Sequence, residues 1–227
     1  MALLLATVAA FALAERLKLE RSPVTAPRFT RLIGPECGCE KARADLRVRL
    51  RQADRVTAMI VGEDGEEVRR LATRLERPRG RVRFVWDGRD GAGKPAADGL
   101  YRLRLELERA DRTITIPTPV RVDGTPPRLR LVSATPRAIT PDGDGRADRV
   151  LYVYRSSERA YAVVYVNGRY TVRGRSWRRG RGRVRWRARV EGGGYVEPGV
   201  YRTWIEAVDP AGNRSERSPV VTVRVRR

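Results

Sequence analysis

Asp142, Asp144 and Asp148 occupy positions one, three and seven of the run DGDGRAD, with Gly143 and Gly145 between them. Three carboxylates at that spacing, on a loop that glycine lets curl, can offer oxygen ligands to Ca²⁺. A full EF-hand needs more ligands and a distal bidentate Glu, and neither is present. Arg146 and Arg149 also compete for these carboxylates. The other use of such side chains is to cap the loop's own amides. Cys37 and Cys39 are the second reactive set, separated by one glycine. In an oxidising compartment they can close a small ring or pair between chains, and in a reducing one they are two loop thiols. The chain has two cysteines and no histidine, so a Cys/His zinc cluster and a Cys–His nucleophile are both excluded. The commonest general base is missing with them.

A third set is cationic. The run from 173 to 189 holds Arg175, Arg178, Arg179, Arg181, Arg183, Arg185 and Arg187, interleaved with Gly, Trp177 and Trp186. Arginine with tryptophan can bind single-stranded nucleic acid through phosphate pairing and stacking. The same run can meet anionic wall polymers or lipid head groups, or stand as a solvated hairpin. If Val184, Trp186 and Ala188 point inward, Arg183, Arg185 and Arg187 share one exposed face. Asp87, Asp90 and Asp98 cluster in a fourth loop, within FVWDGRDGAGKPAADGLYRLRL. With no base, nucleophile or metal signature beside them, they read as Asx-turns and arginine partners.

The elements that carry these loops read as β-strands throughout. Leu46, Val48 and Leu50 alternate with Arg47, Arg49 and Arg51, which puts aliphatics on one face and guanidinium groups on the other. Val56–Val61 is a more continuous apolar run. Glu66–Leu75 suggests a strand with a bend. Val82, Phe84 and Trp86, then Tyr101, Leu103, Leu105 and Leu107, alternate again, and Thr113–Ile116 closes the set. About seven short strands in this length match an immunoglobulin-like sandwich. The pattern restarts at Leu129 and runs to Val225. It includes Asn167-Gly168 between alternating runs, a strong hairpin signal.

Charge is lopsided. Of the 227 residues, 48 are basic and 27 acidic, a net charge of +21, and only Lys18, Lys41 and Lys94 are lysine. So extreme an arginine bias reads more as a GC-rich coding sequence writing arginine at tolerant surface positions than as selection for polyanions. Residues 126–227 carry +14 of the total. At the other end, residues 2–14 are uninterruptedly apolar. A helix of that length rises only about 20 Å, short of the roughly 30 Å hydrocarbon core. Ala12-Leu13-Ala14 suits a signal-peptidase site, whereas Arg16, Lys18 and Arg21 lie on the side that disfavours export. A cleaved signal peptide and a short membrane anchor both remain open.

The two halves align at a displacement of 100 residues. Arg81, Arg83, Trp86, Gly99 and Tyr101 match Arg181, Arg183, Trp186, Gly199 and Tyr201. A period of that length means tandem domains rather than a solenoid of short units. The shared Trp, Gly and Tyr read as a sandwich corner, with the aromatic rings entering the core and glycine permitting the turn.

The stretch Trp86-Asp87-Gly88-Arg89-Asp90, Gly93, then Asp98-Gly99-Leu100-Tyr101-Arg102-Leu103 resembles the Ig-like domain of the flagellar hook-capping protein FlgD. The second half keeps Trp186 and Pro198-Gly199-Val200-Tyr201 but replaces the acidic loop with RARVEGGGY. Its segments Thr140–Gly145 and Asp209–Asn213 resemble openings and hairpins of other bacterial surface modules. The resemblance implies β-sandwiches, extracytoplasmic placement and a structural or adhesive role, and no catalytic residues.

The sequence thus predicts an all-β protein of two tandem immunoglobulin-like sandwiches after an N-terminal hydrophobic helix. The expected divisions are a signal peptide or anchor over 1–21, a spacer over 22–28, a first sandwich over 29–122, a linker over 123–127 and a second sandwich over 128–227. The expected function is a non-catalytic module of a bacterial cell envelope, with a protein or anionic envelope partner and the N-terminal segment at the membrane. Nucleic acid is the less favoured partner, and no small-molecule substrate is expected. The alternative is a polyanion binder using the arginine stripe of the second domain. No cofactor is expected, unless Ca²⁺ occupies Asp142, Asp144 and Asp148.

Overall fold

The computed structural model describes residues 22–174, 180–190 and 193–227. The expected hydrophobic segment over 1–21 lies outside them. Within the described residues the chain is all-β. Its first nine strands are β1 (Val24–Phe29), β2 (Leu32–Ile33), β3 (Ala44–Leu50), β4 (Asp54–Val61), β5 (Glu67–Arg77), β6 (Gly80–Trp86), β7 (Gly99–Leu107), β8 (Arg112–Thr115) and β9 (Val120–Val122). They form a three-stranded sheet, β1-β3-β6, and a larger one, β2-β9-β7-β4-β5, with β8 also on β7. The remaining strands are β10 (Leu129–Thr135), β11 (Ala138–Ile139), β12 (Val150–Ser156), β13 (Tyr161–Val166), β14 (Arg169–Arg173), β15 (Arg181–Trp186), β16 (Gly199–Val208) and β17 (Val221–Val225). Again there is a three-stranded sheet, β10-β12-β15, and a larger one, β11-β17-β16-β13-β14.

By contact the described chain divides into two units. One holds residues 22–31, 44–93 and 100–120, and the other 32–43, 94–99 and 121–227. The segments 32–43 and 94–99 therefore group with the second unit.

Period-two alternation decides which face of each strand is buried. On β3, Ala44, Leu46, Val48 and Leu50 are buried while Arg47 and Arg49 are exposed. On β6, Val82, Phe84 and Trp86 are buried between exposed Arg81, Arg83 and Val85. The second unit repeats the scheme. Tyr152, Tyr154, Val184 and Trp186 from its three-stranded sheet join Val164, Ile205 and Val223 from its larger sheet in one core cluster. Each such aliphatic or aromatic side chain contributes on the order of 1.5–3 kcal/mol by leaving water.

One pair of positions shows how the two cores are filled differently. Val48 pairs with Val82 across β3 and β6. At the corresponding places Tyr154 pairs with Gly182 across β12 and β15. A Cβ on Gly182 would overlap the Tyr154 ring. Two medium side chains in one unit are thus replaced by one large side chain and none in the other, which keeps both interiors packed.

Segment 22–28, read from sequence as a spacer, is in fact largely strand. Val24–Phe29 pairs antiparallel with β3, and Val24 is buried. Pro27 is tolerated because β1 is an edge strand and the register slips between Thr25 and Arg28, where Ala26 takes φ 50°. Phe29 ends β1, and Leu32–Ile33 form the separate short β2. Parallel pairings of β2 with β9 and of β11 with β17 also lie outside the sequence reading.

Candidate interaction surfaces

The corner built from Trp86, Gly99 and Tyr101 is structural. Trp86 is fully buried, and its ring centroid lies 5.1 Å from that of Tyr101. Its indole Nε1–H donates to the Arg89 carbonyl at 2.9 Å. Trp186 and Tyr201 sit 5.8 Å apart, and Trp186 Nε1–H donates to the Arg189 carbonyl at 3.0 Å. Gly99 and Gly199 do not form the turn expected of them. Gly99 and Gly199 begin strands and have no left-handed backbone, and a Cβ on Gly199 would meet Tyr201 at an ordinary 3.6 Å. Left-handed backbone lies instead at Gly88 (φ 73°) and Gly93 (φ 79°), and at Ala188 (φ 53°) and Gly193 (φ 101°). The bend falls just after the tryptophan, where the first unit uses glycine, which takes such backbone without strain, and the second unit uses Ala188.

The acidic loops bind their own backbone. Asp87 and Asp90 accept from the Arg89 and Ala92 amides. Asp98 accepts from the Gly124 amide and the Thr125 hydroxyl. In the 142–148 loop, Asp142 accepts from the Asp144 amide and Asp144 from the Arg146 amide. Asp148 takes the Gly143 amide on one oxygen and the Gly145 amide on the other, at 2.8 and 2.9 Å. Carboxylate oxygens of Asp142, Asp144 and Asp148 come within 4.8 Å of one another, so the geometry gathers the residues proposed for Ca²⁺. Their bonds also fit the capping role.

Cys37 and Cys39 are joined to each other. Their ring lies against the hairpin Asp209–Asn213, within the second unit. Gly212, at φ 97°, leaves no room for a side chain: a Cβ there would stand 2.5 Å from Cys39 Sγ. Asp209 holds the hairpin closed, taking the amides of Gly212 and Asn213 on Oδ1 and the Asn213 side-chain amide on Oδ2. Beside the disulfide is a cleft of about 480 Å³ whose lining includes Lys41, Arg159, Tyr161, Arg173 and Arg214. Arg173 stacks on Tyr161 at 3.9 Å, and Lys41 Nζ donates to the Pro210 carbonyl at 2.5 Å.

One acidic group escaped the sequence reading. Asp123, Glu158 and the buried Asp209 bring carboxylate oxygens within 4.8 Å of one another, with Asp98 nearby. Burial, reinforced by Asp209 and Asp98, raises the Asp123 pKa above the usual carboxylate range. Burial likewise raises Glu158, with Asp123 and Asp209 adding to the effect. No spacing rule finds such a group, because its members lie dozens of residues apart.

The arginine run divides. Arg175, Arg178 and Arg179 lie outside the described residues. Arg181, Arg183, Arg185 and Arg187 are exposed, and Val184, Trp186 and Ala188 between them are buried. Strand pairing adds residues that the run itself does not contain. Arg181 sits opposite Arg155 on β12, and Arg155 opposite Arg130 on β10. None of Arg130, Arg155, Arg181, Arg183 and Arg185 forms an ion pair among the described residues.

These features define an all-β, immunoglobulin-like protein whose exposed chemistry is cationic. More particularly, residues 40–111 match the FlgD Ig-like domain. No curated protein matches the chain. Among solved structures it is similar to the fibronectin(III)-like modules of Clostridium thermocellum CbhA, at 15% identity and TM-score 0.45, covering 89% of this chain and 92% of that one. It is also similar to the human OSCAR ligand-binding domain, at 18% identity and TM-score 0.36, covering 89% of this chain and all of that one. For a 1.5-MDa bacterial ice-binding adhesin the figures are 14% and 0.34, covering 91% of this chain and 66% of that one.

Proposed function

We propose that this chain is a non-catalytic structural or interaction module of a bacterial cell envelope, held outside the cytoplasm, with the second sandwich a divergent tandem copy of the first. The observation that carries this reading is the closed Cys37–Cys39 ring seated on Gly212, because disulfides persist in oxidising compartments. The match of residues 40–111 to a flagellar-type Ig-like domain supports the same placement. The loop carboxylates of Asp87, Asp90, Asp98 and Asp209 hold backbone amides, which favours a scaffold over a reaction centre. In this reading residues 1–21 bring the chain to the membrane as a signal peptide or short anchor, and the partner is a protein or an anionic envelope component.

Thiol alkylation of intact cells followed by mass spectrometry tests the placement. The two cysteines should resist alkylation until a reductant is added. Full labelling without reductant, together with protection of both sandwiches from external protease until lysis, would overturn it. The second reading, polyanion binding through the second domain, is favoured by the alternation of exposed Arg183, Arg185 and Arg187 with buried Val184, Trp186 and Ala188.

A further inference from the structure

We infer that the outward face of the β10-β12-β15 sheet, carrying Arg130, Arg155, Arg181, Arg183 and Arg185, is a docking surface for an extended phosphodiester polymer of the envelope. This deepens the polyanion reading above and rests on it. Three strands supply the five arginines, and no Asp or Glu lies in any of the three. Arg130, Arg155 and Arg181 stand directly opposite one another across the sheet. Neighbouring strands are about 4.8 Å apart, so this row holds three like charges in close register, an arrangement that costs stability unless an anion offsets it. Arg181, Arg183 and Arg185 continue the charge along β15, an edge strand, with about 6.7 Å between successive outward side chains.

The first unit shows how such a face is neutralised from within. There Arg28, Arg47 and Arg83 also stand in a row across β1-β3-β6. Asp45 bridges two of them, lying 2.6 Å from Arg47 and 3.1 Å from Arg83. Asp45 pairs with Val85 across the strands, and the corresponding pair in the second unit is Leu151 with Arg185. The internal anion is replaced by an aliphatic residue and the neutral partner by a cation. Some arginines elsewhere find acidic partners, as in Arg70–Glu67, Arg74–Glu108 and Arg214–Glu206.

Charge complementarity therefore specifies a polyanion, and the guanidinium fork suits phosphate oxygens. A chain with its anions spaced along one direction matches the line on β15. Nucleic acid is disfavoured because the aromatics of these strands, Tyr152, Tyr154 and Trp186, are all fully buried and so offer bases no platform within the three strands. A bilayer is disfavoured because Val132, 55% exposed, is the only large apolar side chain of the three strands that is mostly solvent-facing.

The test measures binding of poly(glycerol phosphate) to the full chain across a salt series. Wild type should bind with an affinity that falls as salt rises. Arg181→Gln/Arg183→Gln/Arg185→Gln should bind roughly a hundred-fold more weakly at low salt. Arg202→Gln/Arg217→Gln/Arg224→Gln removes the same charge elsewhere on the second unit and should bind like wild type. Equal losses in the two variants, or none in the first, would overturn the assignment of this face while leaving the polyanion reading intact. No binding by wild type at low salt would overturn both. Tighter binding to phosphatidylglycerol vesicles or to single-stranded oligo-dT would overturn the choice of polymer.

Discussion

Replacing Gly182 with valine should destabilise the second unit, and replacing Tyr154 with valine in the same molecule should restore much of what is lost. Gly182 faces inward on β15 directly opposite Tyr154, and the phenol ring fills the space a side chain at 182 needs. Forcing a branched side chain into that space overpacks the core, at a cost of about 1–3 kcal/mol or more. Tyr154 is fully buried, so Tyr154→Val alone leaves a cavity beside a residue with no side chain, at a cost of about 2–5 kcal/mol. The double variant reproduces the Val48–Val82 pairing of the first unit. The two substitutions therefore compete for one volume, and the double variant should be at least about 2 kcal/mol more stable than additivity predicts. Urea unfolding of the four proteins, compared at constant m, measures this coupling. Costs that add to within about 0.5 kcal/mol would refute the shared-volume argument. Tyr154→Phe separates ring from hydroxyl. The hydroxyl lies near the Ala162 backbone with no hydrogen-bond partner in good geometry among the described residues, and burial raises its pKa. Removing it should be neutral or stabilising by about 1 kcal/mol.

Two further predictions concern the second unit. Gly212→Ala should cost about 2–5 kcal/mol, combining left-handed strain with the clash against Cys39 Sγ. In a Cys37→Ala/Cys39→Ala background only the strain remains, so an unchanged cost on urea unfolding would remove the disulfide contact from the explanation. Glu158→Gln should raise the melting temperature near pH 7, because the carboxyl is held above its ordinary pKa of 4.5 by burial and by Asp123 and Asp209. A raised carboxyl favours the protonated folded state. The wild-type penalty therefore applies once pH exceeds the folded pKa, and the gain from Gln should vanish below about pH 4.5. A difference that does not vary with pH would contradict this.

Much of the fold was legible because burial with a period of two leaves a direct trace. Leu46, Val48 and Leu50 had to lie on one face and Arg47 and Arg49 on the other, whatever the strands paired with. The match of Trp86 to Trp186 at a displacement of 100 is equally local, and both indoles donate to the carbonyl three residues on. Very short strands left no such trace. β2 and β11 have two residues each, too few to show a period, and β1 was hidden by Pro27. The left-handed backbone expected at Gly99 lies six and eleven residues earlier, at Gly93 and Gly88, because sequence marks a turn but not which residue takes positive φ.

Sequence by itself determined the face-by-face chemistry: which residues are apolar inside each strand, which are cationic outside, and that no histidine is available for catalysis. It also placed Arg183, Arg185 and Arg187 on one face of one run. Only the tertiary structure decided which strands lie beside that one. Register brought Arg155 and Arg130 into the same row, and it paired Leu151, where the first unit has Asp45, with Arg185. The pairs Arg130–Arg155, Arg155–Arg181 and Leu151–Arg185 join residues 25, 26 and 34 positions apart in the sequence. Their alignment is fixed by whole-sheet packing and not by any local pattern, so a patch spread over three strands stays invisible until the sheet is assembled.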